Sequence, residues 1–262
     1  MLVRSWNLFH GNTVPPQRRA FLDDMIRRTA VDEPNVLCVQ EVPAWALGRF
    51  TVGDVAARPR LGPLPIPAEL GRALTAPNHG LLRSAFSGQG NAMQLSPRLT
   101  VLQHDVLTLN ARAFRARQAR ALGLDLLDRL AWAKERRIVQ VVRLGGDGRT
   151  VVVANTHCSG APLDERVTES ELIRAAWFAT SLARPDEAVV LAGDFNLRSS
   201  SGALQALASS DWGFSAPGPG IDHILVRGAR VSELRVWSDE ERAHGLALLS
   251  DHAPVELELE LA

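Results

Sequence analysis

The sequence predicts an α/β fold, a four-layer α/β sandwich in which two mixed β-sheets pack face to face with the helices outside. One observation is that strand-like apolar runs alternate with amphipathic helical segments along the chain. Another is that some strands, such as residues 189–192, are apolar throughout, whereas residues 255–261 alternate between apolar and acidic. With 262 residues, 46% of them hydrophobic, we expect one domain over 1–262.

The first part of the chain predicts strands that each end at a polar residue. A strand over residues 2–8 is followed by a helix that opens at Pro15 and Pro16 and places its apolar positions between residues 21 and 26. A short strand over residues 36–39 leads to Gln40 and Glu41. Residues 51–80 are rich in proline and glycine and predict only a short helix over 68–76. A turn over 88–91 precedes strands over 92–95 and 99–109.

Residues 111–137 differ from the rest of the chain in charge. They carry eight cations against three anions, a net charge of +5 in a protein of no net charge. Apolar residues from Leu122 to Ala133 recur at helical spacing, which predicts one or two amphipathic helices inserted between strands. A solvated helix face is one interpretation of such a charge run. The other interpretation is a surface that binds the phosphates of a nucleic-acid backbone. Its candidate substrate-binding residues are Arg112, Arg115, Arg117 and Arg120.

The second half predicts a hairpin of strands 138–144 and 150–154 around residues 145–148. A helix with Leu172, Ile173, Ala176 and Trp177 on its apolar face follows and closes at Pro185. A buried strand over 189–192 leads to Asp194, and serines 199–201 cap a short helix. Further strands are expected from residue 221, over 231–237, and over 255–261 with three glutamates facing outward.

Polar residues stand at the ends of six of these strands. In an extended chain Asp194 and Asn196 share one face, and neighbouring strand ends can bring such residues to one rim. Oxygen ligands favour Mg²⁺ or Mn²⁺, and histidines with carboxylates serve acid and base chemistry. A polar turn after a strand is the ordinary alternative at each place. The residues concerned are Asn7, Glu41, His157, Asp194 with Asn196, Asp222, and Asp251 with His252.

Seven short motifs span residues 6 to 252. In chain order they are Trp6-Asn7, Gln40-Glu41, Gly90-Asn91-Ala92, Asn155-Thr156-His157, Gly193-Asp194-Phe195-Asn196, Ile221-Asp222-His223 and Ser250-Asp251-His252. With these motifs in this order, the sequence resembles the endonuclease/exonuclease/phosphatase superfamily, the deoxyribonuclease I-like proteins, over essentially its whole length. The resemblance implies the same four-layer fold.

The resemblance implies a phosphoesterase dependent on Mg²⁺ or Mn²⁺, with the metal held by Asn7, Glu41 and Asp251. Water activated by the metal attacks a phosphoester in such enzymes. Asp194 would orient and deprotonate that water. Asn196 would hold phosphate or metal-bound water, and Asn91 would line the site. His252 would contact the phosphate, with its tautomer fixed by Asp222. His157 would be a second phosphate contact or the leaving-group acid.

Two departures from the family pattern bear on the substrate. Repair endonucleases of the superfamily use a tyrosine at the site, and this chain has none. The basic insertion at about 111–137 matches no family element, but it favours a nucleic-acid phosphodiester, so a nuclease is the first expectation. A lipid or a soluble phosphate ester is the second, with residues 51–67 as an apolar loop toward lipid. A non-catalytic binding scaffold is the third.

Other residues carry weaker signals. Cys38 and Cys158 are 120 residues apart in a pattern that suggests no disulfide, and a nucleophilic role for Cys158 is not expected. We expect His10 to be structural and His223 to face away from Asp222. The N-terminal residues lack the apolar core of a signal peptide, and no apolar run is long enough for a membrane span. The expectation is therefore a cytoplasmic monomer.

Overall fold

The structure is a computed structural model, and it describes residues 1–77 and 86–261. Its strands and helices follow one another in this order: β1 (Leu2–Asn7), β2 (Thr13–Val14), α1 (Leu22–Thr29), β3 (Val36–Val42), β4 (Val52–Ala57), β5 (Arg60–Leu61), β6 (Leu64–Pro65), α2 (Ala68–Thr75), β7 (Gln89–Leu95), β8 (Thr100–Thr108), α3 (Arg112–Ala121), α4 (Leu126–Lys134), β9 (Ile138–Gly146), β10 (Arg149–His157), α5 (Glu165–Leu182), β11 (Ala188–Asp194), α6 (Gly202–Leu207), β12 (Asp222–Arg227), β13 (Arg230–Val231), β14 (Arg235–Val236), β15 (Ala243–His244), β16 (Ala247–Leu249) and β17 (Val255–Glu260).

The chain divides into two compact units, and the first comprises Met1–Ser96 with Glu233–Glu258. Its main sheet has the strand order β17-β1-β3-β7-β4. Strands β1 and β3 run parallel, whereas β17, β7 and β4 pair with their neighbours antiparallel. Trp6 and Leu37 of this sheet pack with Leu22 and Met25 of α1 in one buried apolar cluster. The amphipathic helix thus covers one face of a mixed sheet.

The second unit comprises Pro97–Ser232 and the chain from Leu259 onward. Its sheet has the strand order β12-β11-β10-β9-β8, with β10 and β11 parallel and the other pairs antiparallel. Leu172 and Ala176 of α5 pack on Val152, Leu191 and Phe195 in a buried cluster. Two mixed sheets with associated helices confirm the predicted α/β class. The prediction that residues 1–262 form one domain stays a prediction.

The predicted element bounds needed two corrections in the first unit. Helix α1 begins at Leu22, not at the two prolines, because the preceding Thr13–Val14 pairs with Leu249 and Leu248 and the chain there is extended. Strand β7 begins at Gln89, inside the predicted turn, since Gln89 and Gly90 pair with β4. The short helix predicted over 68–76 is α2. The final residues of the 51–80 segment, 78–80, lie outside the described residues.

The predicted apolar face of one helix was wrong, and that of another was wrong at one residue. The basic segment forms two helices, α3 and α4, but Leu126, Leu127 and Leu130 of α4 are 69%, 76% and 59% exposed. Helix α4 instead buries Trp132, whose indole nitrogen donates a hydrogen bond of 2.6 Å to Glu171 of α5. The Trp177 side chain on α5 is likewise 61% exposed. Helical spacing alone does not identify the face that packs inward.

The C-terminal strands also differ from the prediction. Residues 231–237 form the separate short strands β13 and β14, each paired with β17. Strand β17 keeps its alternation, but Glu256 faces the interior because Arg4, its register partner on β1, forms a 2.6 Å ion pair with it. Among the helices of the described residues, none combines the length and apolar character needed to cross a membrane.

Candidate active-site residues

Asn7 and Glu41 lie at the carboxyl ends of the parallel strands β1 and β3. Asn7 is the register partner of Gln40, and the backbone nitrogen of Leu8 donates to the Gln40 carbonyl at 3.0 Å. Glu41 has a positive φ of 52°, which an ordinary strand residue does not adopt. Adjacent parallel strands therefore bring the amide and the carboxylate to the same edge of the first unit's sheet.

A loop carrying Asp251 and His252 is fixed beside the end of β1. The Ser250 hydroxyl donates to the Asn7 carbonyl at 2.7 Å and accepts the backbone N–H of His252 at 3.1 Å. The indole nitrogen of Trp6 donates to the His252 carbonyl at 2.8 Å. Trp6 is fully buried, so these bonds hold the loop against the core. The three predicted metal ligands of this unit are thus on neighbouring backbone segments.

The side chains of this group offer hard oxygen atoms. Asn7 Oδ1 accepts the backbone N–H of Phe9 at 2.9 Å, which fixes the amide. The Glu41 and Asp251 side chains are 20% and 42% exposed, so an ion and its waters can reach them. His10, expected to be structural, is buried with Nε2 3.3 Å from Glu41 Oε2. The donor set fits Mg²⁺ or Mn²⁺.

His157, Asp194 and Asp222 form a row across three adjacent strands of the second unit. His157 and Asp194 are register partners in β10 and β11, and Asp194 and Asp222 are partners in β11 and β12. Residues directly opposite one another project from the same face of a sheet. Nε2 of His157 lies 3.4 Å from Asp194 Oδ2, and carboxylate oxygens of Asp194 and Asp222 lie within 4.8 Å of one another. All three residues are buried.

Asn196 joins this row through a turn. Its φ is 53°, so the expectation of an extended chain over residues 194–196 was wrong. The backbone N–H of Asn196 donates to Asp194 Oδ1 at 3.0 Å, and its side-chain amide donates to the Cys158 carbonyl at 3.0 Å. Gly193 precedes the turn at a φ of 144°, where a Cβ would collide with the Thr156 carbonyl. The turn orients Asp194 and Asn196 relative to β10.

Arg137 is a residue of this region that the sequence analysis did not single out. Its guanidinium Nη1 lies 3.1 Å from Nδ1 and 3.3 Å from Nε2 of His157, and Nη2 forms a 2.7 Å ion pair with Glu135. A signal was available in the predicted hairpin. Val139 pairs with Thr156, so the residues just before β9 must lie beside those that end β10.

The remaining predicted residues are placed as follows. Asn91 is buried in β7 of the first unit, opposite Asp54 of β4. On α3, Arg112, Arg115 and Arg120 line a cleft, whereas Arg117 does not. Arg112, Arg117 and Arg120 are exposed to solvent, and Arg115 is partly buried.

Two residues that the sequence analysis set aside are buried. His223 Nε2 lies 2.8 Å from the Leu197 carbonyl, and burial lowers the pKa of the ring, in agreement with a packing role. Burial is also the largest cause that raises the pKa of Cys158 well above its ordinary value, with Glu171 as the next cause. The thiol therefore stays protonated and is a poor nucleophile. Both cysteines are free.

Comparisons with known proteins identify the fold. The structure of an endonuclease/exonuclease/phosphatase from Bacteroides vulgatus is 16% identical, covers 100% of this chain and 98% of its own, and has a TM-score of 0.63. The human Nocturnin catalytic domain with bound sulfate is 17% identical, with coverages of 100% and 94% and a TM-score of 0.62. The D. rerio TDP2 complex with a single strand DNA product is 12% identical, with coverages of 99% and 98% and a TM-score of 0.64.

These low identities show a shared fold and nothing finer. The comparison with curated proteins gave no match. The sequence profile of the Endonuclease/Exonuclease/phosphatase family matches residues 5–252, a range that includes each candidate residue described above. The resemblance seen in the motifs is thereby confirmed, and the chain belongs to the Endonuclease/Exonuclease/phosphatase family.

Proposed function

We propose that this protein is a divalent-metal-dependent phosphodiesterase that cleaves a phosphodiester with water. The observation that carries the proposal is the buried row of His157, Asp194 and Asp222 across β10, β11 and β12. Two carboxylates and a histidine placed side by side at strand ends are costly for a core unless they are used. They suit proton transfer and the binding of a reacting phosphate.

In this proposal Asn7, Glu41 and Asp251 hold Mg²⁺ or Mn²⁺. Their oxygens are the ligands these ions prefer, and the exposed carboxylates leave room for the water molecules that Mg²⁺ retains. When bound, the ion would lower the pKa of water and offset charge on the phosphate. The chain's own contribution is the fixed position of the three ligands, which follows from strand pairing and from the bonds of Ser250 and Trp6.

Asp194 is proposed to orient the attacking water and accept its proton. Its Oδ1 is engaged by the backbone N–H of Asn196, which fixes the carboxylate plane. His157 is proposed as a phosphate contact or leaving-group acid. Its ring is held by contacts with the Arg137 guanidinium and with the Asp194 carboxylate. Asn196 and Asn91 are proposed to bind the phosphate or line the site, and His252 and Asp222 to stabilise developing charge.

The proposed substrate is a nucleic-acid phosphodiester. The excess of cations in residues 111–137 supplies a local positive field that the neutral protein lacks as a whole. Of the phosphate contacts predicted on α3, which were Arg112, Arg115, Arg117 and Arg120, the proposed ones are the three that line a cleft, Arg112, Arg115 and Arg120. A structure with the same fold, TDP2 of D. rerio, contains a single strand DNA product, which supports the same class of substrate.

A lipid phosphodiester is the second candidate, because residues 51–67 include an exposed apolar hairpin. Leu61 of β5 is 53% exposed and Leu64 of β6 is 66% exposed. Exposed leucines at a hairpin tip suit contact with lipid. A soluble phosphate ester and a non-catalytic scaffold are less favoured, the latter because each polar residue of the family motifs is retained. A cytoplasmic location and a monomeric state stay predictions.

A substrate panel tests this function. The purified protein is incubated with Mg²⁺, Mn²⁺ or a chelator and with plasmid DNA, single-stranded DNA, RNA, phosphoinositides and a chromogenic phosphodiester. We expect metal-dependent cleavage of the chromogenic diester and of at least one polynucleotide. Cleavage of the phosphoinositides alone would move the assignment to the second candidate. No metal-dependent cleavage of any diester would contradict the proposed function.

A further inference from the structure

Helices α3 and α4 enclose a basic cleft in the second unit. The cleft has a volume of about 340 Å³ and contains no acidic side chain in its lining. Trp132 and Ala119 are its buried lining residues. We call it the arginine cleft, after the four arginines that line it: Arg112, Arg115 and Arg120 of α3 and Arg129 of α4.

Two of the four guanidinium groups of the arginine cleft are bonded to backbone carbonyls of the same segment. Arg129 Nε donates to the Leu124 carbonyl at 2.8 Å, and Arg120 Nε donates to the Ala116 carbonyl at 3.4 Å. Arg115 Nε is buried and has no hydrogen-bond partner. None of the four arginines forms an ion pair within residues 1–77 and 86–261. Fixed, uncompensated cations lose less entropy on binding an anion than mobile ones.

The helix dipole also disfavours this arrangement unless an anion binds. The first turn of α3 contains no acidic residue, while Arg112 and Arg115 stand at its N-terminal end. A helix N-terminus carries partial positive charge, so cations there repel it and a bound anion offsets the repulsion. By contrast, α4 begins with Asp125, whose side chain accepts the Asp128 N–H at 2.8 Å. Arg112 and Arg115 both line the cleft, so the N-terminal end of α3 faces it.

Hydrogen bonds join the cleft to the loop that follows His157. The Trp132 indole donates to Glu171, and the same carboxylate accepts the backbone N–H of Ser159 at 2.7 Å. The Asn110 amide donates to the Trp132 and Glu135 carbonyls at 3.2 and 2.6 Å. Its carbonyl oxygen accepts the backbone N–H of Arg137 at 2.9 Å, next to His157. Hydrogen bonds therefore connect the cleft to the row of His157, Asp194 and Asp222, which we call the catalytic row.

We propose that the arginine cleft binds successive phosphates of a single-stranded polynucleotide while another phosphodiester of the same strand lies at the catalytic row. This inference rests on the proposed function and adds the site that retains the substrate. It also revises the predicted contact set, because Arg129 belongs to the cleft and Arg117 does not. Fixed guanidinium groups match phosphate oxygens with paired hydrogen bonds.

The buried position of Arg115 Nε, at the bottom of a cleft whose other arginines are exposed, favours a strand over a membrane. A flat lipid surface would first meet the outward leucines of α4, Leu126, Leu127 and Leu130. It would not enter a cleft in which Arg115 Nε is already buried. The backbone of a single strand is narrow and flexible, so its phosphates can enter such a groove. Binding of anionic vesicles is nevertheless the outcome that would replace this proposal.

The test measures binding without turnover. A short fluorescein-labelled single strand of DNA is titrated with the wild-type protein in the presence of a chelator, and fluorescence anisotropy is read at several salt concentrations. We expect Arg115→Gln and Arg129→Gln each to raise Kd about tenfold, which is the loss of one charge-assisted hydrogen bond. The slope of log K against log salt should become shallower by about 0.7 for each phosphate that the variant no longer neutralises.

Arg117→Gln is the matched control, since it removes the same charge from the same helix outside the cleft. Its Kd should stay within about twofold of wild type. Two results would overturn the proposed binding site. One is an equal rise in Kd for Arg115→Gln and Arg117→Gln, and the other is a Kd that neither Arg115→Gln nor Arg129→Gln changes. Binding to phosphatidylglycerol vesicles without binding to the strand would overturn it in favour of a lipid surface.

A parallel assay separates this inference from the proposed function. The Arg129→Gln variant should hydrolyse a small chromogenic phosphodiester at the wild-type rate, because His157, Asp194 and Asp222 are untouched. Normal strand binding by this variant with normal hydrolysis would contradict the cleft alone. The wild type could instead fail to hydrolyse the diester while the cleft variants still bind the strand more weakly than wild type. That result would contradict the proposed phosphodiesterase activity and support the binding site. Far-UV circular dichroism confirms that each variant is folded.

Discussion

His157 and Asp194 are register partners at the ends of the parallel strands β10 and β11, with Nε2 of the imidazole 3.4 Å from Oδ2 of the carboxylate. On its other side the ring contacts the Arg137 guanidinium at 3.1 Å. Strand pairing fixes the backbone of both partners, and the turn at Asn196 fixes the carboxylate. The histidine is thus held between a cation and an anion in a buried position.

Arg137→Gln should impair turnover without unfolding the protein. The guanidinium orients the His157 ring, and loss of a preorganised donor at a catalytic site lowers kcat by about 100-fold or more. Steady-state kinetics with a small chromogenic phosphodiester measures the effect. Arg136→Gln is the control, since Arg136 is exposed and donates to Thr108 at 2.7 Å. Equal activity in both variants would show that the contact with His157 is only structural.

Glu41→Gln should weaken binding of Mn²⁺ by about tenfold or more. An amide keeps the shape of the side chain but loses the charge that attracts a hard cation. Isothermal titration calorimetry of the apo protein measures this directly, without reference to activity. Glu69→Gln provides the control, because Glu69 is an exposed residue of α2 whose Oε2 is 3.8 Å from an Arg72 nitrogen. Equal Mn²⁺ affinity in the two variants would exclude Glu41 as a ligand.

Arg4→Met should destabilise the first unit by about 3–5 kcal/mol, the usual cost of removing one partner from a buried ion pair. Arg4 is fully buried, pairs with Glu256, and donates to the Thr29 and Val31 carbonyls at 2.7 and 2.6 Å. Urea unfolding followed by circular dichroism gives the change. Arg235→Met removes the exposed arginine that contacts the same carboxylate at 2.7 Å, and should cost less than about 1 kcal/mol. A smaller loss for Arg4→Met than for Arg235→Met would contradict this assignment.

Glu171 should make stability depend on pH. Burial, the largest cause, raises the pKa of this carboxyl above its ordinary 4.5, although Trp132 and Ser159 donate to it. Its stabilising effect is therefore present at low pH and falls as pH rises from about 4.5 to the raised pKa. Compared with wild type, Glu171→Gln should gain unfolding free energy across that range. Urea titrations at a series of pH values test this, and a difference independent of pH would refute the raised pKa.

The sequence predicted the positions of the candidate residues better than their side-chain partners. Asn7, Glu41, His157 and Asp194 lie at or near strand ends as expected, since alternation and apolar runs locate strand ends and paired strands align them. Strand pairing then explains how residues distant in sequence meet, as His157 and Asp194 do. These features depend on local pattern and on topology, which short motifs in a fixed order retain.

Side-chain partners were harder to predict because they depend on long-range contacts. The apolar spacing of α4 suggested a buried leucine face, yet the bond from Trp132 to Glu171 decides which face packs inward. Glu256 was expected to face solvent, but Arg4, 252 residues away, draws it inward. Such pairs leave no periodic signal in the sequence. Arg137 is different, since the predicted hairpin already placed it beside the end of β10.

The central claim is metal-dependent hydrolysis of a phosphodiester by the proposed catalytic residues. Its most direct test compares kcat for a chromogenic phosphodiester with Mn²⁺ in wild type, Asp194→Asn, His252→Ala and the double variant. We predict that each single substitution removes most of the turnover while the unfolding midpoint is kept, and that the double variant loses much less than the product of the two effects, because residues that act as a unit are not additive. Turnover at the wild-type rate in either single variant would contradict the account.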